Sequence, residues 1–259
     1  MRDADIIDHL KNIEQKAYDA GKKVRKEIKN PNNDYDARIS TFFIIAQAVR
    51  WFKIFLILKT EYLDKQHWYE TIYLSKYRQQ PLEIGYVPSQ GIKGRGLVMP
   101  GVNEYHLMMI NEFNHVMLMA YSQVLYFIME SKFRLFLLAL DQHALDNNDK
   151  FYYVYTLLLK MTRRKTKYRR LIRFFSFVRN TIHNNGMHRN NREPNVRMKY
   201  KGKLFKFQYD RMVRYPYPFS ALTVLLLYIT PDVIDMMEDI ILNTKLKKNQ
   251  SIPEPAAQP

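Results

Sequence analysis

The chain of 259 residues contains no cysteine, and only 8 of its residues are glycine. The absence of thiols excludes disulfide bonds and thiolate metal sites, and it agrees with the cytoplasmic location that we expect. Because glycine supplies many tight turns, its scarcity favours long helices over a turn-rich β architecture. No apolar segment of signal-peptide length is found at the N-terminus. The hydrophobic fraction of 47% nevertheless predicts a folded protein with a buried core.

Acidic residues are almost absent from one long segment, Phe151 to Tyr209. It holds 16 Lys or Arg and a single acid, Glu193, whereas the other 200 residues hold 25 basic and 24 acidic side chains. The net charge of +16 is therefore almost entirely local. Concentrated positive charge attracts polyanions, so we expect a nucleic acid as partner first and an anionic membrane surface second. A solvated helix face, the other explanation, usually carries interspersed acids.

The most apolar run of the sequence, Ser40 to Leu58, has the length of a membrane span. It carries Arg50 and Lys53 near its centre, where charges are costly in hydrocarbon. We therefore predict a buried or half-buried helix of a soluble protein and no membrane insertion.

Periodicity and turn signals predict an all-α fold, a helical bundle with a small β-hairpin insertion near the C-terminus. The predicted helices cover residues 3–29, 37–77 with a break near 64–67, 103–144, 152–185 and 220–243. Residues 80–101 contain three prolines and five glycines and are predicted to form a loop. Residues 196–209 alternate apolar and basic side chains around Lys201-Gly202, a pattern typical of a hairpin.

We predict three parts of the chain from these patterns. Residues 1–101 form an N-terminal helical region and a Gly/Pro loop that pack on the bundle. Residues 102–243 form the main helical domain with the hairpin at 196–209. Residues 244–259 have the composition of a disordered tail.

The stretch "FVRNTIHNNGMH", residues 177–188, contains the candidate site. Arg179 and His183 are one helical turn apart, at the edge of the apolar face. Imidazole can exchange a proton near neutral pH, and a guanidinium can bind phosphate and stabilise charge that develops on it. Without a carboxylate cluster or thiolates, we expect no metal and no cofactor. This chemistry suits cleavage of RNA, whose 2′-hydroxyl supplies the nucleophile.

An ordinary helix end is the alternative interpretation of the same stretch. Asn185-Gly186 is a common helix terminator, and a histidine in the last turn, such as His183, interacts favourably with the helix dipole. Arg179 would then pair with an acid on a neighbouring helix. The residues alone leave both interpretations open.

The motif "RNTIHNNG", Arg179 to Gly186, resembles the signature of the HEPN superfamily (higher eukaryotes and prokaryotes nucleotide-binding). The hairpin "YKGK…F", the helix after it and "ESKFR" at Glu130 to Arg134 are similar to features of bacterial members. The resemblance covers about residues 103–243. It implies a metal-independent endoribonuclease that acts in phage defence (abortive infection) or as the toxin of a toxin–antitoxin system.

The resemblance also implies roles for single residues and a homodimer whose two Arg-His pairs form a composite active site. Arg179 would hold the scissile phosphate, Asn180 would orient it, and His183 would act as general base or acid. The family usually has four to six residues between Arg and His, whereas three stand here. Because of this departure, a relative of the family that binds RNA without cutting it is an alternative.

The predicted RNA contacts are polar residues near the pair, namely Asn184, His188, Arg173, Arg169 and Arg170. The expected partners are RNA, a second copy of the chain and an antitoxin or defence-system protein. A non-catalytic RNA-binding or protein-interaction module on the same fold is the main alternative. A peripheral membrane protein ranks lowest, because the apolar face of the basic helix is needed for the core.

Overall fold

A computed structural model describes residues 3–28, 35–63, 102–146, 150–215, 220–249 and 251–254. Within them the chain is mostly helical, with a two-stranded antiparallel hairpin, so the predicted all-α fold with a small hairpin is confirmed. The helices are α1 (Asp3–Glu27), α2 (Ala37–Leu58), α3 (Val102–Leu140), α4 (Phe151–Met161) and α5 (Lys165–His183). The strands are β1 (Asn195–Tyr200) and β2 (Lys203–Gln208). The last helix, α6, runs through Ala221–Val224, a π segment at Leu225–Ile229, and Thr230–Leu242.

Helices α1 and α2 pack closely against each other, and α1 also lies against α6. The apolar residues of α1 recur at three- and four-residue spacing and are buried on one side, among them Leu10, Ala17 and Val24. Gly21 lets the two helices approach closely, because a Cβ atom there would lie 3.2 Å from the Cβ of Phe42. The pair therefore forms one side of the core.

The two central charges of α2 both pair with one acid of α1. Arg50 Nε lies 2.7 Å from Glu14 Oε1, and Lys53 Nζ lies 2.5 Å from Oε2. Burial alone would raise the pKa of Glu14, but the hydrogen bonds from Lys53 and Arg50 hold it below its usual value. Among the described residues, Ala37–Tyr62 is the one segment long and apolar enough to cross a membrane, and 44% of its most apolar window is buried in the fold.

The prediction of a single helix over residues 152–185 is wrong, because the helix is interrupted between α4 and α5. Arg163 takes a left-handed conformation with φ of 56°. Arg164 Nε then donates to Asp239 of α6 at 2.8 Å, and the Tyr168 hydroxyl donates to the same carboxylate at 2.8 Å. No glycine or proline marks this break; the acid on α6 fastens the first turn of α5.

The hairpin forms where the alternation predicts it. Lys201 and Gly202 both have positive φ, 47° and 76°, as a two-residue turn with the twist of a hairpin requires. Met198, Phe205 and Phe207 point inward and are buried. Phe207 stacks on Phe177 of α5 with 5.1 Å between ring centroids. The hairpin is thereby fixed to the helix that carries the candidate site.

The expectation of a disordered tail from residue 244 is wrong for the described part of it. Lys245–Lys248 form a 3₁₀ turn, and Leu246 and Ile252 are buried. The carbonyls of Leu246 and Asn249 accept hydrogen bonds from Arg38 at 2.8 and 3.1 Å. The polar composition of this segment gives no sign that two of its apolar side chains are buried. It also gives no sign that its carbonyls serve as acceptors for the buried Arg38. The predicted helix end at 77, the break at 64–67 and the loop at 80–101 lie outside the described residues.

Candidate functional site

Polar side chains line one open side of α5. Arg169, Arg173, Ser176, Asn180 and His183 follow one another at spacings of four, three, four and three residues, which places them on one face of a helix. Arg169, Arg173 and His183 are exposed, and Ser176 and Asn180 are half-buried. The apolar side of α5 is buried in the core and includes Phe174, Phe175, Val178 and Ile182. We call the five polar residues of the open side, Arg169, Arg173, Ser176, Asn180 and His183, the α5 stripe.

Gln123 of α3 joins the arginine and the histidine of the predicted pair. Its Oε1 accepts a hydrogen bond from Arg179 Nε at 2.7 Å and another from His183 Nε2 at 3.0 Å. An amide oxygen can only accept, so Nε2 of His183 carries the hydrogen. The amide thus sets the orientation of both functional groups from the neighbouring helix.

The guanidinium of Arg179 is held in place without losing its charge to an acid. Its Cζ lies 4.6 Å from the centroid of the Tyr126 ring, and Nη1 donates to Asn180 Oδ1 at 3.2 Å. Its hydrogen-bond partners in the described part of the chain are Gln123 and Asn180, both neutral. The predicted alternative of an ion pair with a neighbouring acid is therefore not found among these residues. Of the five N–H donors of a guanidinium, three are left for an anion.

His183 is disposed to be neutral near pH 7. Partial burial lowers the pKa of its imidazole, and the positive charge of Arg179 and the nearby His115 lower it further. In the neutral ring the hydrogen on Nε2 leaves Nδ1 as the acceptor. Nδ1 is accordingly the atom that can take a proton.

Two of the three asparagines of the motif, Asn180 and Asn184, have different tasks. Asn180 touches the guanidinium of Arg179 through Oδ1. Asn184 caps α5, and its Nδ2 donates to the carbonyl of Asn180 at 2.8 Å. Asn185 and Gly186 then take positive φ of 52° and 83°, so the predicted helix stop is confirmed. Asn184 is thus committed to the helix end through its Nδ2.

His188, predicted as an RNA contact, is buried and is not available for one. It is 1% exposed, and its ring lies 5.4 Å from Phe177 and 5.8 Å from Phe207. Its Nε2 donates to the carbonyl of Glu193 at 2.8 Å. The polar residue types around it hide the fact that the chain turns inward here. His188 belongs to the joint between α5 and the hairpin.

The three arginines predicted to bind RNA are exposed. Arg173 forms an ion pair with Glu193, the acid of the basic segment, and its guanidinium lies over Phe177 at 5.7 Å. Arg169 donates to the Tyr152 hydroxyl at 3.3 Å. Arg170 forms no ion pair with any other described residue. Arg169 and Arg173 share the α5 stripe with His183 of the candidate pair.

Gln123 and Tyr126 were not among the predicted site residues. They are three residues apart on α3 and so point to the same side, toward α5. Their positions lie within a run of apolar residues, "MLMAYSQVLYFIM", and only the packing of α3 on α5 reveals their role.

The charged residues of "ESKFR" have separate partners in the structure. Glu130 pairs with Arg134 at 2.6 Å, whereas Lys132 is buried and pairs with Glu254.

No group of three or more metal-ligating side chains occurs in the part of the chain that the structure describes. No protein-family model, curated protein or solved structure matches the chain. The function of the protein must therefore be inferred from the geometry and chemistry of the site.

Proposed function

We propose that this protein is a metal-independent endoribonuclease of the HEPN type, with Arg179 and His183 as catalytic residues. The observation that supports it most directly is the shared hydrogen-bond acceptor, Gln123 Oε1, which holds both groups at one open edge. A proton acceptor with a lowered pKa and a guanidinium with free donors are the two groups that this reaction needs. The three-residue spacing allows both side chains to reach the same amide.

In the proposed reaction, Nδ1 of His183 removes the proton of an RNA 2′-hydroxyl. The 2′-oxygen forms a bond to phosphorus while the bond from phosphorus to the 5′-oxygen breaks, and the leaving oxygen takes up a proton. The products are a 2′,3′-cyclic phosphate and a 5′-hydroxyl. Arg179 binds the non-bridging oxygens, whose charge grows as the reaction proceeds. Asn180 keeps the guanidinium in position.

A homodimer is part of the proposal, since one pair supplies one proton carrier and a second copy would supply the other. Exposed apolar side chains on α3 beside Gln123 support it: Val116, Val124 and Phe127 are 51%, 46% and 68% exposed. An apolar patch of this kind commonly marks an interaction site. A strictly monomeric mass at assay concentration, measured by light scattering, would contradict the composite site.

The proposed setting is the cytoplasm, in phage defence or a toxin–antitoxin system, with a neutralising or defence partner protein. It derives from the resemblance of "RNTIHNNG" and depends on the nuclease activity. The second candidate, an RNA-binding module without catalysis, is favoured by the exposed Arg169, Arg170 and Arg173 on α5. These side chains suit phosphate binding whether or not cleavage takes place.

The test is RNA cleavage in excess EDTA by wild-type protein and by His183→Ala. We expect cleavage to persist in EDTA and to fall by about 10²–10⁴-fold in the variant, the usual contribution of a general base. His143→Ala is the matched control, because the His143 side chain is 85% exposed and pairs with Asp146, away from the motif in sequence. If folded wild-type protein binds RNA but does not cut it, the enzyme proposal fails and the binding module stands.

A further inference from the structure

We propose that the outward face of the β-hairpin, on the side opposite to α5, is a second RNA-docking surface, which binds the phosphate backbone. This face consists of the exposed residues that alternate with the buried ones, namely Asn195, Arg197, Lys199, Leu204, Lys206 and Gln208. The proposal rests on RNA as the ligand of the proposed function.

Three cations lie close together on this face. Arg197 is the direct cross-strand partner of Lys206, and Lys199 is the partner of Leu204, one step along the same face. Direct partners have Cβ atoms about 4.5–5.5 Å apart, and diagonal neighbours about 7–8 Å apart. Arg197, Lys199 and Lys206 therefore form a compact triangle of positive charge.

The triangle is not neutralised within the described residues. None of its three side chains forms an ion pair there, whereas Lys201, at the turn, pairs with Asp232 of α6 at 2.8 Å. Like charges placed directly opposite in a sheet are destabilising. Unneutralised cations at such a position are what a surface for an anionic ligand requires.

The hairpin packs against α5, the helix that carries the candidate site, through stacked aromatic rings. Phe174 stacks on Tyr200 at 4.3 Å between ring centroids, and Phe177 stacks on Phe207 at 5.1 Å. Arg173 of the α5 stripe lies over the ring of Phe177 and pairs with Glu193, two residues before β1 begins. The hairpin is consequently held on α5 by side chains of its inward face, and its basic face is left on the outer side.

RNA fits this face better than a membrane does. The amides of Asn195 and Gln208 lie beside the cations, and Asn, Gln, Lys and Arg are the side chains that commonly bind phosphate oxygens. A membrane-binding surface would combine the cations with several exposed apolar side chains. Leu204, which is 50% exposed, is the one apolar residue on this face.

The test uses the full chain with His183→Ala, so that binding of a fluorescent single-stranded RNA is measured without cleavage. The hairpin variant carries Arg197→Gln and Lys206→Gln together. The control variant carries Lys11→Gln and Lys22→Gln, which removes the same charge from the exposed side of α1. We expect the hairpin variant to bind at least tenfold more weakly. The slope of log K against log salt should fall by about 1.4, since each lost phosphate contact contributes about 0.7 for a single strand.

Equal weakening by the control pair would overturn the proposal, because net charge alone would then explain binding. Unchanged affinity of the hairpin variant would overturn it as well. Hairpin-dependent binding to phosphatidylserine vesicles with no hairpin-dependent binding to RNA would replace RNA by a membrane surface. Thermal unfolding of each variant confirms that the fold is intact. Failure of cleavage in the nuclease assay leaves this binding test unaffected, so the two proposals fail separately.

Discussion

Arg38 and Arg179 are both held by several groups, but the surroundings of the two guanidinium ions differ. Arg38 is fully buried, with two hydrogen bonds to the equally buried Asp36 at 2.8 and 2.5 Å and others to carbonyls near the C-terminus. Arg179 is half-buried and is held by neutral amides and an aromatic ring. A neutralised arginine with every acceptor supplied by the fold serves stability. An arginine held by neutral groups keeps its charge for a ligand.

The same contrast holds for the surface cations. On α1, Lys16 pairs with Asp235 and Lys23 with Glu238, so the charges bind helix to helix. On the hairpin, Arg197 and Lys206 face one another with no acid from the described residues between them. Arg197 and Lys206 belong to the segment that holds the excess positive charge, and neither forms an ion pair with a described residue.

The largest effect on the free energy of unfolding should come from replacing Arg38, the arginine that is neutralised by an acid. Replacing Arg38 by Met leaves the carboxylate of Asp36 buried without its partner, and we expect the free energy of unfolding to fall by about 3–5 kcal/mol. Urea denaturation followed by circular dichroism measures it. Arg179→Met is the matched variant and should retain nearly wild-type stability while losing activity. Equal destabilisation by both would remove the distinction between the two arginines.

A smaller effect is expected for Gln123, which positions the catalytic pair without touching substrate. Gln123→Ala should reduce cleavage about tenfold and move the acid limb of the pH–rate profile to higher pH. The sign is set by burial: desolvation lowers the pKa of His183, so opening the site to water raises that pKa and protonates the base at a higher pH.

Gln123→Glu sharpens the same prediction. It keeps an acceptor in place but puts a negative charge beside the imidazole, so the pKa of His183 should rise further and the acid limb should shift more than in Gln123→Ala. Wild-type protein should lose activity only below the usual histidine pKa. An acid limb that is the same in all three proteins would show that His183 is not the titrating base.

The smallest effect belongs to the paired surface cations. Lys16→Ala removes an exposed ion pair with Asp235, and we expect a loss of less than about 1 kcal/mol in unfolding free energy and no change in RNA affinity. The same denaturation and binding assays check it. A loss of RNA affinity equal to that of the hairpin variant would erase the difference between the two surfaces.

Local patterns of the sequence predicted the elements that depend on neighbours in the chain. The alternation around Lys201-Gly202 identified the hairpin, and Asn185-Gly186 identified the end of α5, because turn geometry depends on the residues in the turn. The motif of the candidate site, Arg179 and His183, was visible for the same reason. Its one-turn spacing is a property of any helix.

Contacts between distant residues account for the rest. The break at Arg163 depends on Asp239 of α6, and the ordered tail depends on Arg38, more than 200 residues earlier in the chain. The burial of His188 depends on Phe207, and the shared acceptor Gln123 belongs to another helix. Residue types and their spacing were enough to identify the groups that can perform chemistry. Which of these groups are open depends on the packed fold, because burial and hydrogen-bond partners arise from helices that meet across the core.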